Sequence, residues 1–377
     1  MRALASTARM EAVLRAALAA GINHLETAPA YGPAETFLGQ GLARLTAEGL
    51  GPQDGWRITS KLLPLCELAD GRRQLRGILA RLGIPRLDSL AVHGLNRPEH
   101  LHWATRGAGA ELLAWALGEG LVGQVGFSSH GSNGLIERAL ATGRFSFCSL
   151  HLHLFDQTRL PLARAALANG IGVLAISPAD KGGRLYDPPP ELLADCAPFH
   201  PLELAYRFLL DQGISTLSLG AEQPGDLAWA TAIAGPAAGG GGWGGSSLES
   251  ACPRPTGSWL TPAHRAALDR LAAAGRERLG AERCGQCRAC LPCPSAVPIP
   301  ELLRLRNLAL GHGMTAFAGE RYNLIGRAGH WWEEINAEAC RRCGACLPRC
   351  PHQLPIPDLL ADTHRRLAAA PRRRLWG

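Results

Sequence analysis

From Gly21 to Gly220 the chain alternates stretches in which apolar residues return every three or four positions with short apolar runs of the kind that form buried strands. The runs predict strands over Ile22–Thr27, Trp56–Ser60, Ser89–His93, Gln124–Ser128, Phe147–Leu152, Gly172–Ile176 and Ser215–Leu219. A helical stretch precedes each: in Met10–Ala20, for example, Val13, Leu14, Ala17 and Leu18 share one face and Gly21 stands as the cap. Seven such units, with polar residues or glycine at the strand C-termini, predict a TIM-type (β/α)8 barrel lacking its first strand. Because the sequence opens on a helix, that strand either lies upstream of Met1 or is absent, leaving an open edge that needs a partner. A doubly wound open sheet is the alternative, since it too accommodates seven parallel strands.

After Leu227 a further helical stretch runs into Gly235–Gly257, where the glycines 239–242 predict a flexible connection. Beyond it Thr261–Arg278 reads as an amphipathic helix opened by Thr261-Pro262. The expected organisation is a barrel over 1–234, a linker over 235–258 and a small, mainly helical domain over 259–377. A chain of 377 residues, 46% hydrophobic and 19% charged, is ordinary globular material of that size.

Charge narrows the partners. The formal net charge is +7, but the basic residues are scattered along helices, apart from Arg372 to Arg374, so no nucleic-acid partner is expected. Of 39 basic residues only Lys61 and Lys181 are lysines. Where arginine serves every ordinary need for positive charge, a retained lysine marks a position that wants a compact ammonium. Arg9, Glu11 and Arg15 interrupt the N-terminal apolar stretch, so no secretory signal is read there, and no run has the length of a membrane-spanning helix. The expected setting is the cytoplasm, without a membrane partner. Twelve cysteines there imply metal ligation rather than disulfides.

Eight of those cysteines form two motifs: Cys284, Cys287, Cys290 and Cys293-Pro294, then Cys340, Cys343, Cys346 and Cys350-Pro351. Three thiolates in one Cys-x-x-Cys-x-x-Cys run wrap a face of an iron–sulfur cubane, and a more distant cysteine followed by proline supplies the fourth ligand, so two 4Fe–4S clusters are expected. The alternative, two zinc sites, more often pairs separated Cys-x-x-Cys knuckles. The unit is duplicated: Pro298-Ile299-Pro300-Glu301-Leu302-Leu303 answers Pro355-Ile356-Pro357-Asp358-Leu359-Leu360, with corresponding positions 56 residues apart through the third cysteine and 57 apart from the fourth. With a helical insert between its motifs, the segment resembles α-helical ferredoxin modules. In two-cluster ferredoxins each fourth cysteine ligates the other cluster. The resemblance therefore implies quartets of Cys284, Cys287, Cys290 with Cys350, and Cys340, Cys343, Cys346 with Cys293, a local quartet in each motif being the alternative. Cys66, Cys148, Cys196 and Cys252 lack such spacing and read as packed thiols.

Candidate chemistry also stands at the barrel's strand ends: Glu26 and Tyr31 in Glu26-Thr27-Ala28-Pro29-Ala30-Tyr31-Gly32, Lys61 after Ile58-Thr59-Ser60, and His93 in Val92-His93-Gly94. In a barrel these face one pocket. A tyrosine can protonate a carbonyl undergoing reduction if a lysine ammonium favours its phenolate, while a carboxylate orients the lysine and a histidine completes the polar wall. This order of residues resembles the Asp, Tyr, Lys, His tetrad of the aldo/keto reductase family. The likeness spans roughly residues 10–230, is most specific from Gly21-Ile22-Asn23-His24 through Tyr31-Gly32, and continues in Gly126-Phe127-Ser128-Ser129 and Ile176-Ser177-Pro178. The whole chain looks like the branch of predicted oxidoreductases that append a ferredoxin-like tail to this barrel.

The resemblance implies catalytic roles for Tyr31, Lys61, His93 and Glu26, a small-molecule substrate, and NADP(H) or NAD(H) held near Ser128, Ser129 and Ser177. Three departures stand out: Glu26 replaces the family's Asp, Ile176 occupies the place of a tyrosine that stacks on nicotinamide in many members, and Gly220-Ala221-Glu222-Gln223 has no basic residue for an adenosine phosphate. Lys181, Gly182 and Gly183 follow the Gly172–Ile176 run where barrels often bind phosphate, an ordinary turn being the alternative. The leading functional expectation is an oxidoreductase that reduces a carbonyl or related group and exchanges electrons through two clusters. Hydride carries two electrons whereas a cluster passes one, so a partner flavoprotein or stepwise reduction is implied. The other expectation is an electron-transfer or sensing subunit whose barrel only binds a ligand or partner.

Overall fold

The computed structural model describes residues 6–179, 184–234, 258–325 and 335–369. The chain divides into two compact units: Met1–Pro178 with Ala205–Trp259, and Ala179–Leu204 with Leu260–Gly377.

In the first unit, α1 (Thr7–Ala19) starts at Ser6, whose hydroxyl accepts the Arg9 N–H, and ends before Gly21 in a left-handed conformation. β1 (His24–Glu26), α2 (Ala34–Ala47), β2 (Arg57–Leu62), α3 (Leu68–Leu82) and β3 (Leu87–Val92) follow. Two consecutive helices, α4 (Pro98–Arg106) and α5 (Ala108–Gly118), lead to β4 (Val122–Ser129). Then come α6 (Asn133–Leu140), β5 (Phe147–His151), α7 (Leu160–Ala168) and β6 (Gly172–Ile176). After α8 (Pro190–Cys196) and α9 (Pro201–Asp211), β7 (Thr216–Leu217) and α10 (Ala228–Ala234) complete the series.

All seven strands are parallel and each pairs with the next, in the order β1 to β7. That sequential order separates the two candidate architectures, because a doubly wound sheet reverses direction at its switch point. The unit is a seven-stranded, TIM-type half-barrel. The core lies where strand interiors meet the inner helix faces: Leu90, Val92, Phe127 and Leu150 pack with Leu38, Ile78, Leu112 and Ile136. Among the described residues no strand precedes β1. Val13 and Ala17 of α1 instead pack with Ala221 and Leu227, beyond β7, so side chains from the two ends of the sheet share a small apolar cluster.

The second unit is helical: α11 (Pro262–Leu279), α12 (Ile299–His312), α13 (Thr315–Tyr322) and α14 (Ile356–Leu367). α11 packs on α12 and α8, and α12 packs on α13 and α14. Residues 184–204, assigned to the barrel from the strand pattern, thus pack in the C-terminal unit. Arg278 of α11 forks onto Asp195 of α8 at 2.6 and 2.8 Å, and the Phe199 ring lies 4.0 Å from that of His264. No helix among the described residues is long and apolar enough to cross a membrane. The glycine-rich stretch 235–257, with Cys252, lies outside the described residues, as do Lys181, Gly182 and Gly183.

Candidate active site and cluster module

Parallel strands deliver their C-terminal ends to one side, and four of the expected residues arrive there from successive elements. Glu26 is the last residue of β1, Tyr31 sits in the helical turn Pro29–Tyr31 that follows, Lys61 lies near the end of β2, and His93 comes directly after β3. Register fixes their height: Glu26 is level with Thr59 and Lys61 with Ala91, while the His93 N–H donates to the Leu62 carbonyl at 2.7 Å.

Lys61 is the hub. Its Nζ lies 2.9 Å from Glu26 Oε1 and donates to Tyr31 OH at 3.1 Å and to the Thr27 carbonyl at 3.1 Å. The Lys61 side chain is 2% exposed and that of Glu26 14%, so this is a buried ion pair. Burial alone would lower the Lys61 pKa, but the Glu26 carboxylate and the Tyr31 oxygen outweigh it, and the ammonium is held above its ordinary value. Burial likewise pushes Glu26 up, and Lys61 overrides it, leaving the carboxyl below the usual range. The extra methylene of Glu26 is accommodated within ion-pair distance, and Ser218 Oγ, just past β7, donates to its other oxygen at 3.5 Å. The His93 and Tyr31 rings stand in a T-shaped arrangement, with centroids 5.8 Å apart at 87°.

The expected cofactor residues present a different picture. Ser128 Oγ accepts the Gly94 N–H at 3.0 Å, and Ser129 Oγ donates to the Leu95 carbonyl at 2.6 Å while accepting the Gly131 N–H at 3.0 Å. Both side chains are buried, and both hydroxyls are engaged by the backbone of the loop after β3, Ser129 also by Gly131 of its own loop. Ser177 adopts a left-handed backbone at φ 50° as the chain leaves β6. Sequence reading passed over a second feature at these strand ends. The rings of His130, after β4, and His151, at the end of β5, are 4.2 Å apart, and His153 follows at 5.9 Å from His151. The signal was available in His151-Leu152-His153, whose period of two points both rings to one face of an extended chain.

In the second unit Cys284, Cys287, Cys290 and Cys350 line one cavity. Three come from the first motif and the fourth from the second. Reciprocally, Cys346 neighbours the thiols of Cys340, Cys293 and Cys343; burial raises its pKa and those thiols add to the effect. Burial also pushes Cys290 up to about 12. The duplication is built into the backbone: Gln286 and Arg342 are left-handed at φ 58° and 53°, Arg288 and Gly344 at 63° and 75°, and Ala296 and Gln353 at 53° and 51°. Four convergent thiols in a lining otherwise rich in Pro300, Leu303, Leu354 and Ile356 fit a cubane cluster, which needs sulfur ligands and exclusion of water. The remaining described cysteines differ: Cys148 and Cys196 are buried, with pKa values pushed up to about 12, and Cys66 is half-buried.

Family models match these two sites separately. Residues 5–188 match the aldo/keto reductase family and residues 283–354 the 4Fe–4S dicluster domain. The chain joins an aldo/keto reductase domain to a 4Fe–4S dicluster domain. It is an iron–sulfur oxidoreductase. Among solved structures, a putative aldo-keto reductase from Pseudomonas aeruginosa is 24% identical over 60% of this chain and 79% of its own, with a TM-score of 0.48. An aldo-keto reductase of the silkworm Bombyx mori, in complex with NADP, is 22% identical over 60% of this chain and 76% of its own, also at 0.48. No curated protein matches the chain.

Proposed function

We propose that the aldo/keto reductase domain reduces a carbonyl or a related group on a small molecule, and that the dicluster domain carries the electrons through two 4Fe–4S clusters. The single observation that carries this reading is the hydrogen bond from the buried Lys61 ammonium to Tyr31 OH, backed by Glu26. Tyr31 donates its phenolic proton to the carbonyl oxygen as that oxygen gains charge. Lys61 then faces the phenolate and stabilises it. Glu26 keeps Lys61 charged and aimed, and His93 fixes the face of the tyrosine ring. Cys284, Cys287, Cys290 and Cys350 hold one cluster and Cys340, Cys343, Cys346 and Cys293 the other; each supplies one-electron chemistry. Two clusters match the two electrons of a carbonyl reduction; the hydrogen that ends on carbon arrives as hydride from a nicotinamide or from a flavoprotein partner, the partner class that interconverts single electrons and hydride.

Nicotinamide dependence is the open arm of this proposal, tested by adding NADPH or NADH to anaerobic holoprotein and following cluster bleaching and the electron paramagnetic resonance signal. Replacing Tyr31 by Phe is expected to lower carbonyl turnover about 10²–10⁴-fold with iron content unchanged. Full turnover in that variant would remove Tyr31 as the acid. The backbone commitments of Ser128 and Ser129 favour a second reading, an electron-transfer or sensing subunit whose barrel binds a ligand or partner. Absence of bleaching with either nucleotide, together with absence of turnover in the unmodified protein, selects it.

A further inference from the structure

Duplication gives every residue around one cluster cavity a counterpart in the other half of the module. Much of the apolar lining is repeated: Leu303 answers Leu360, and Ile356 answers Ile299. Leu354 answers Val297, a change within apolar residues, and three other positions break the repeat in kind. His352 corresponds to Ser295, Arg288 to Gly344 and Gly285 to Arg341, and each first-named residue lines the cavity of Cys284, Cys287, Cys290 and Cys350.

Of the three, Arg288 is paired with Glu301, which offsets its charge. His352 and Gly285 act together. A Cβ added to Gly285 would stand 2.5 Å from His352 Nε2 and 3.2 Å from Cδ2, so the imidazole rests on bare backbone inside the first cysteine loop. In the other half a side chain, Arg341, replaces the glycine, and a short hydroxyl stands at the position of the ring. Imidazole in any tautomer carries at least one N–H donor. Donors directed at cluster sulfurs raise the reduction potential.

We propose that His352, seated on Gly285, is a positioning residue that makes the two clusters inequivalent. Its ring supplies a donor to the cluster of Cys284, Cys287, Cys290 and Cys350 and holds that cluster at the higher potential, so the first electron to enter the module rests there. This rests on the two-cluster reading of the module.

The test uses anaerobically prepared full-length holoprotein, with iron and acid-labile sulfide counted first, then titrated electrochemically with paramagnetic resonance detection. Two one-electron waves are expected. His352→Phe keeps the ring's bulk and removes its donor, and should move the upper wave down while the lower stays in place. Gly285→Ala, whose methyl displaces the ring, should move the same wave in the same direction and provides the reading should the first variant load less iron. Unchanged waves in a fully loaded His352→Phe protein, equal movement of both, or a single unresolved wave in the parent overturns the proposal. Loading of fewer than two clusters in the parent overturns the two-cluster reading instead, which the iron count reveals before any potential is measured.

Discussion

Lys61 is surrounded by groups that want it charged, and this makes the site sensitive to pH in a definite direction. Its pKa is raised in the fold, so its contribution is complete below the ordinary lysine value and fades as pH climbs through the elevated one. Glu26 is lowered, so its contribution is present above the ordinary carboxylate value and fades as pH falls through the depressed one. The pair therefore supports the fold across the neutral range. Lys61→Met strands a buried carboxylate and is expected to cost about 3–5 kcal/mol near neutral pH. Because Glu26 can then be accommodated by taking a proton, the deficit should shrink on acidification, and adding Glu26→Gln should recover most of it. Melting curves from pH 5 to 8 check this; a deficit independent of pH would mean that lost packing, not lost charge, dominates. The scarcity of lysine and the order of Glu26, Tyr31, Lys61 and His93 made these side chains legible in the sequence. The occupation of Ser128 and Ser129 by backbone groups was not legible, because a hydroxyl's partner depends on how loops from different strands meet.

At the level of elements, every strand run in the sequence has its strand in the fold, and the differences lie at the margins. The run Ile22–Thr27 yields only His24–Glu26, and Ser215–Leu219 only Thr216–Leu217. Both are the outermost strands, paired on one side, so an apolar run there continues past the last ladder bond. α8 adds a helix between β6 and β7, opening on Pro190, which is tolerated in a first helical turn. α12 ends on His312, whose pKa burial pushes down to about 4, with Asp195 opposing and Arg278 and Arg283 assisting. A histidine buried neutral contributes stability above its ordinary value of 6.5, and that contribution is lost as pH falls through about 4. The loss approaches about 3 kcal/mol at the acid end. His312→Gln should flatten the acid limb of the pH–stability curve, measured by chemical unfolding between pH 7 and 4. An unchanged slope would assign acid sensitivity to other groups.

For the whole molecule, the chain leaves the barrel after β6 and returns at α9, having contributed α8 to the other unit. A fragment ending at Trp259 retains α8 without α11, uncovering Leu192 and Cys196, which are buried in the full chain. It should bind hydrophobic dye and self-associate, and replacing residues 179–204 by a short polar turn should suppress both. Dye fluorescence and size-exclusion elution report the outcome; a monomeric, dye-silent fragment 1–259 would show that α8 does not depend on the C-terminal helices. No periodicity announces such a loan, since amphipathic helices advertise a face to be covered but not who covers it.

That loan constrains how the protein can be made. A ribosome releases α8 before α11, so a nascent chain must hold Leu192 and Cys196 uncovered until residues 262–279 have emerged. Assembly of the cysteine-bearing unit can thus begin before any of its eight ligand thiols has been made.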